Sequence, residues 1–126
     1  MQSQPTMLAL LRWLRPRESA MTRLLGRFVR AESPSFDKVA VDRFGRILAA
    51  EWKRRGAAVT LLPQKHRGDH IRAVWNPGDN RARGQILVLG HLDTVYVAGT
   101  ITQMPFRVSR RRAWGPGTFD MKGGLV

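Results

Sequence analysis

The sequence predicts an α/β fold, on the strength of three observations. Two amphipathic helical segments come first, at residues 17–31 and 37–55. Two short strand-like segments follow, at 57–62 and 70–75. A continuous apolar run at 85–90 is then typical of a strand buried on both faces of a sheet. With 126 residues the chain has room for one modest domain, so this order predicts an α/β layer that has only begun.

The first helices are predicted from proline position and apolar spacing. Residues 5–14 favour a short helix that ends before Pro16, because the residue preceding a proline is pushed out of the α region. In the segment 17–31, apolar residues recur at i, i+3, i+4, i+7 and i+8 and therefore line one face. These residues are Met21, Leu24, Leu25, Phe28 and Val29.

The next helix is predicted to run from about Asp37 to Arg55. Either Ser35 or Asp37 is a suitable N-cap, since both side chains can accept a hydrogen bond from a free backbone N–H. Gly56 is a natural stop, because glycine readily takes the left-handed conformation that ends helices. The apolar stripe of this helix is Val41, Phe44, Leu48 and Trp52.

The rest of the chain is predicted to be strands and loops. Residues 57–62 and 70–75 are strand candidates, and the cluster at 76–80 predicts a turn, because Pro fixes φ and Gly supplies positive φ. Residues 106–114 favour extended edge structure. Residues 115–124 are rich in glycine and are interpreted as a functional loop.

The net charge of +13 raises the question of nucleic-acid binding. It comes from 22 basic and nine acidic residues, and 18 of the basic residues are Arg. The basic residues are scattered among the elements, with short runs at Lys53–Arg55 and Arg110–Arg112. Solvated arginine faces are therefore the plainer interpretation, and a nucleic-acid partner is the alternative that we do not favour.

The composition excludes several kinds of protein. The chain has no cysteine, so disulfides and thiolate metal sites are excluded. No apolar run approaches the roughly 20 residues needed to cross a bilayer, and the short segment at 7–14 lacks a signal-peptide cleavage pattern. We therefore expect no membrane partner and a cytoplasmic protein.

His91 and Asp93 directly follow the predicted buried strand, where ligands gather in α/β sheets. A neutral imidazole can ligate zinc, and a carboxylate two residues on can accept the other ring N–H and fix the tautomer. A lone His-x-Asp is a weak motif. From spacing alone, a satisfied surface or core histidine beside a loop aspartate is therefore the favoured interpretation.

Asp120 lies inside the glycine-rich loop, where the backbone can approach an ion closely. A carboxylate can bridge two metal ions about 3.5–4 Å apart in a hydrolytic site. Taken alone, the loop is also compatible with a tight turn and a solvated aspartate. The two segments become informative only when they are considered together.

The ordered set of motifs resembles the zinc-dependent peptidase and deacylase family, which includes glutamate carboxypeptidase, acetylornithine deacetylase and succinyl-diaminopimelate desuccinylase. The motifs are Gly90–Tyr96, Gly99–Thr100, Pro105–Phe106, Trp114–Gly117 and Asp120–Gly124. The resemblance is strongest from residue 85 onward and extends more loosely to Glu32–Ser35. Tyr96 and the Gly-Thr pair look most like the glutamate carboxypeptidase branch.

The resemblance implies roles for individual residues. His91 would ligate one zinc ion, Asp120 would bridge two zinc ions, and Asp93 would orient His91. Cobalt is an alternative metal. The resemblance also implies a non-proline cis peptide between Asp120 and Met121. It identifies no substrate-binding residue. His66 and His70 precede the metal segments and are interpreted as surface or strand residues.

The resemblance further implies a three-layer catalytic domain with a mixed sheet, of which residues 1–126 would be the N-terminal portion. The rest of that domain, the lid or dimerisation domain, the general base and the other metal ligands would lie beyond Val126. The whole protein would hydrolyse small peptides or N-acyl amino acids next to a free carboxylate and could be a homodimer. We expect this chain alone to be inactive. The alternative function is a basic nucleic-acid-binding or interaction module with a relict metal loop.

Overall fold

The computed structural model describes residues 6–75, 84 and 86–126 and confirms the predicted α/β class. It combines helices with two small antiparallel sheets of two strands each. In chain order the elements are α1 (Met7–Leu14), a 3-10 turn (Arg15–Arg17), α2 (Glu18–Arg30), α3 (Lys38–Arg54), β1 (Ala58–Leu62), β2 (His70–Val74), α4 (Thr100–Gln103), β3 (Arg107–Ser109), β4 (Arg112–Trp114) and a 3-10 turn (Lys122–Leu125).

Helix α1 ends at Leu14, as the sequence predicts, but it begins at Met7 and not at residue 5. The Thr6 hydroxyl caps it by accepting a hydrogen bond from the backbone N–H of Ala9 at 3.3 Å. The helix ends before Pro16, which lies in the 3-10 turn leading into α2. No residue of α1 is buried. Helix α1 therefore adds nothing to the core among the described residues.

The core lies between α2 and α3. Its buried cluster contains Leu24 and Phe28 from α2 and Phe44 and Leu48 from α3. The rings of Phe28 and Phe44 meet edge to face with centroids 5.4 Å apart, an arrangement that aromatic quadrupoles favour. The predicted apolar stripes of both helices are therefore the surfaces that meet.

The structure shows which of the two candidate residues caps the start of α3. Asp37, and not Ser35, is the N-cap, because its Oδ1 accepts a hydrogen bond from the backbone N–H of Ala40 at 2.9 Å. Gly56 follows the helix with φ of +85°, so the predicted glycine stop is confirmed.

Strands β1 and β2 form an antiparallel pair in which Ala58 faces Val74 and Leu62 faces His70. Both strands were predicted. Ile71 of β2 packs against the α2–α3 core. The connecting loop lies close to α3, since a Cβ at Gly68 would come within 2.1 Å of Val41 Cγ1. The predicted turn at 76–80 lies outside the described residues.

The predicted buried strand at 85–90 is wrong for the residues that the structure describes. Residues 86–90 form no regular secondary structure and are exposed, and Gln85 is not described. Local sequence predicted the strand from its apolar run, but a strand also requires a neighbour for its backbone hydrogen bonds. Neither described two-stranded sheet includes this segment.

The predicted extended segment at 106–114 is a hairpin. Arg107 of β3 faces Trp114 of β4, and Ser109 faces Arg112. Arg110 and Arg111 form the turn with φ of 47° and 62°, as a tight hairpin turn of the type with two positive φ angles requires. After the glycine-rich loop the chain forms only the short 3-10 turn. Among the described helices, none is long and apolar enough to span a membrane.

Candidate metal centre

The structure brings His91 and Asp120 into direct contact, although 29 positions separate them in the sequence. The His91 Nε2 lies 2.7 Å from the Asp120 Oδ1. Both side chains are open to solvent, with exposed fractions of 43% for His91 and 73% for Asp120. An imidazole nitrogen and a carboxylate oxygen thus contact each other at an accessible surface.

Asp93 contacts the other nitrogen of the same ring. The His91 Nδ1 lies 2.9 Å from the backbone carbonyl oxygen of Asp93 and 3.3 Å from its Oδ1. The carboxylate of Asp93 also accepts a hydrogen bond from the Ser35 hydroxyl at 2.5 Å. Both ring nitrogens of His91 therefore face oxygen acceptors. In metal-binding histidines an oxygen holds one ring N–H in the same way, and the other nitrogen binds the ion.

The contacts of His91 change its acidity. The hydrogen bond with Asp120 raises the pKa of His91 above its ordinary value; partial burial opposes this, and the backbone carbonyl of Asp93 adds to it. In the protonated form the ring donates a hydrogen to Asp120. A metal ion bound by both Nε2 of His91 and Oδ1 of Asp120 would take the place of that hydrogen.

The segment after α2 holds the histidine segment in place. The backbone N–H of Thr94 donates to the Ser33 carbonyl at 2.8 Å, and that of Ser35 donates to the Thr94 carbonyl at 3.0 Å. Pro34 and Thr94 thereby form an isolated parallel bridge. The buried Ser33 hydroxyl donates to the Leu92 carbonyl at 2.8 Å. We call residues 32–35 the clasp.

Lys122 fastens the aspartate loop to the same end of α2. Its ammonium group is buried, with 2% of the residue exposed, and donates to the carbonyls of Phe28 at 2.9 Å and Ala31 at 2.6 Å. These carbonyls lie at the end of a helix, where oxygens lack partners within the helix and a cation is favourable. The Nζ also lies 4.3 Å from the centre of the Phe44 ring.

Burial lowers the pKa of Lys122 to about 8, against a smaller opposing effect from Glu32. Backbone hydrogen bonds also close the loop. The N–H of Lys122 donates to the carbonyl of Gly117, and the N–H of Gly123 donates to the carbonyl of Thr118, each at 3.0 Å. The loop that carries Asp120 is thus fixed on both its backbone and its lysine side chain.

Glu32 is a further positioned residue in the clasp. Its two carboxylate oxygens accept hydrogen bonds from the backbone N–H groups of Gly99 at 2.8 Å and Ile101 at 2.9 Å. It therefore ties the start of α4 to the end of α2. Sequence reasoning missed the roles of both Glu32 and Lys122. A lysine in a glycine-rich loop gives no local signal that it is buried.

The other two histidines lie elsewhere. His66 is exposed in the loop between β1 and β2, and His70 begins β2 and is also exposed, as the sequence indicates. Across residues 6–75, 84 and 86–126, no group of three or more His, Cys, Asp or Glu side chains is arranged to hold a metal ion. The peptide between Asp120 and Met121 is cis.

The donors at His91 and Asp120 fit zinc in kind but not in number. Zinc accepts imidazole nitrogen and carboxylate oxygen, and both are present and accessible. Catalytic zinc needs about three protein ligands per ion. The described residues thus bring together two candidate ligands, fewer than one catalytic zinc ion needs.

Comparison with known proteins places this geometry in context. No protein-family model matches the chain. Carboxypeptidase G2 from Pseudomonas sp. (strain RS-16) is 34% identical to it over 111 residues, which cover 85% of this chain and 26% of that protein. The similarity supports a peptidase-family relationship.

The relationship extends through the helices as well as the motif loops, because the matched residues cover most of the chain. The chain spans about a quarter of the length of the curated relative it matches. The predicted link to the peptidases is confirmed in this broad form. The alternative of a nucleic-acid-binding or interaction module gains no support from the comparison.

Proposed function

We propose that the chain is part of a di-zinc metallohydrolase that cleaves an amide or peptide bond next to a free carboxylate. His91 and Asp120 are its ligands in this chain, with Asp120 bridging the two ions, and Asp93 orients His91. The observation that carries the proposal is the 2.7 Å approach of His91 Nε2 to Asp120 Oδ1 on an accessible surface. The similarity to a carboxypeptidase supports the reaction class.

Each residue would contribute a defined part of the chemistry. Asp93, which contacts Nδ1 of His91, would keep the proton on that nitrogen and leave Nε2 to bind the metal. When bound, zinc would polarise the scissile carbonyl and lower the pKa of a bound water toward about 7. The ligands and the general base still missing would come from residues outside this chain. The substrate would be a small peptide or N-acyl amino acid, and the whole protein would act in the cytoplasm, with a homodimer as its assembly.

Zinc titration of the 126-residue chain tests the proposal. We expect one weakly bound zinc ion per chain, measured by calorimetry or equilibrium dialysis. His91→Ala and Asp120→Ala should each weaken zinc binding by more than about tenfold, because each removes one of the two proposed ligands. Neither zinc nor cobalt should give the isolated chain measurable hydrolysis of an N-acyl amino acid.

His66→Ala is the matched control, since His66 is an exposed histidine away from the contact. It should bind zinc as the unmodified chain does. Equal zinc affinity in His91→Ala, or a loss of affinity in the His66 variant instead, would contradict the assignment. Hydrolysis by the isolated chain would contradict the view that its site is incomplete.

A further inference from the structure

The carboxylate of Asp93 is held by a serine on one oxygen and faces His91 with the other. Its Oδ1 lies 3.3 Å from Nδ1 of His91, and its Oδ2 lies 2.5 Å from Oγ of Ser35. The Asp93 side chain is 40% exposed. A carboxylate this open to water turns freely about its side-chain bonds unless a partner fixes it. Ser35 supplies that partner.

The hydroxyl of Ser35 has two acceptors within reach but only one hydrogen to donate. Its Oγ lies 2.5 Å from Oδ2 of Asp93 and 3.0 Å from the backbone carbonyl oxygen of Thr94. That carbonyl already accepts the backbone N–H of Ser35, also at 3.0 Å. The carboxylate is nearer and, because it is charged, is the stronger acceptor. The hydroxyl hydrogen therefore goes to Asp93.

The backbone that carries this hydroxyl is itself fixed. Ser35 follows Pro34, whose ring restricts φ, and Pro34 forms the parallel bridge with Thr94. The two hydrogen bonds of that bridge come from the backbone N–H groups of Ser35 and Thr94. Ser35 is half-buried there. Its hydroxyl is thus a rigid point from which the Asp93 side chain is oriented.

Ser33, two residues earlier, makes a different kind of contact. Its hydroxyl donates to the backbone carbonyl of Leu92 at 2.8 Å. Such a bond holds the path of the chain and involves no side chain of the site. Ser35 instead holds a side chain that contacts His91. The two serines therefore divide the work between supporting the segment and orienting Asp93.

We propose that Ser35 is a positioning residue of the metal centre, whose hydroxyl keeps the Asp93 carboxylate against Nδ1 of His91 and so strengthens metal binding at Nε2. The inference rests on the proposed function, because it takes His91 as a zinc ligand. Loss of a group that orients a histidine ligand typically weakens metal binding by roughly 10- to 100-fold. Ser35 acts one contact further out, so its effect should be smaller.

Zinc titration of single and double variants tests the proposal. Ser35→Ala should weaken zinc binding by about three- to tenfold, whereas Ser35→Thr, which keeps a hydroxyl, should bind within about twofold of the unmodified chain. In a chain that already carries Asp93→Ala, adding Ser35→Ala should cause no further loss, because the carboxylate through which Ser35 acts is gone. A merely structural role of Ser35 would give additive losses instead.

Ser33→Ala is the matched control. It removes a hydroxyl from the same clasp without touching Asp93, so any effect on zinc affinity should be the same with and without Asp93→Ala. Urea denaturation checks that each variant is folded before titration. Ser35→Ala should fold, because it keeps the backbone hydrogen bonds of the bridge.

Unchanged zinc affinity in Ser35→Ala, or an equal loss with and without Asp93→Ala, would overturn the proposal. Asp93→Ala alone tests the same link without altering Ser35, and an unchanged affinity there would overturn it as well. Zinc binding that depends on His91 but not on Ser35 contradicts this inference alone. Absence of zinc binding in the unmodified chain contradicts the proposed metal centre and this inference with it.

Discussion

At the scale of the residue, Lys122 shows how a charged side chain can be part of the interior. Its ammonium replaces the partners that the last carbonyls of α2 lack, and the bonds to Phe28 and Ala31 repay part of the cost of burial. The same side chain holds the loop that carries Asp120. The stability of the fold and the position of a candidate ligand therefore depend on one residue.

Replacing Lys122 should show how far the stability of the fold depends on its buried hydrogen bonds. Lys122→Met keeps much of the side-chain volume but leaves two helix-end carbonyls without their donor, so the free energy of unfolding should fall by about 1–3 kcal/mol. Urea denaturation measures this. Lys53→Met, at an exposed position of α3, should change it by less than about 0.5 kcal/mol. An unchanged stability in the Lys122 variant would show that the buried bonds contribute nothing net.

At the scale of the element, sequence was sufficient wherever the determining contacts are local. The helices follow from apolar periodicity, and the end of α3 follows from Gly56, because these signals act within a few residues. The segment 86–90 was mispredicted because burial of a strand depends on neighbours that periodicity does not report. For the site, the motifs gave His91 and Asp120, but only the folded chain reveals the buried Lys122.

The pairing of α2 with α3 includes a carboxylate that sequence alone also leaves unexplained. Glu51 is buried and accepts hydrogen bonds from Arg27 of α2, from Arg54 of α3 and from the following Arg55. Burial by itself would raise the pKa of Glu51, but the three guanidinium groups outweigh it and lower the pKa from 4.5 to about 2.

This carboxylate gives a pH dependence with a definite sign. The pKa of Glu51 is lower in the folded chain than in the unfolded chain, so its contribution is complete above about pH 4.5 and is lost as the pH falls toward 2. The loss should be up to about 3 kcal/mol in free energy of unfolding, measured by urea denaturation at several pH values. Glu51→Gln should be less stable at pH 7, and its stability should change less between pH 4.5 and 2. Parallel pH profiles for the two proteins would count against the ion cluster.

At the scale of the whole molecule, the described residues leave a large apolar surface open. Residues 86–89 are mostly uncovered, and Phe119 beside the proposed ligand is almost fully exposed. Contiguous apolar surface of this kind favours association between chains. The isolated chain should therefore associate with itself as its concentration rises.

A charged substitution in this segment tests the prediction. Val88→Lys should lower the average mass measured by sedimentation or light scattering, because it interrupts the apolar segment without removing a core contact. Val39→Lys is the control, since Val39 is a comparably exposed valine on α3, with 76% of its surface open against 82% for Val88. Self-association that resists Val88→Lys, or that Val39→Lys reduces equally, would point to another surface.

The clasp bears on how the metal affinity of the proposed centre could change through evolution or by protein engineering. Ser33 and Ser35 hold the segment that carries His91, and the end of α2 just before them holds the loop that carries Asp120. The positions of both proposed ligands therefore depend on one short stretch of chain. Substituting Ser35 would change the affinity for a metal ion without changing either of the proposed ligands. Affinity can thus be adjusted from the back of the site, separately from the identity of the ligands.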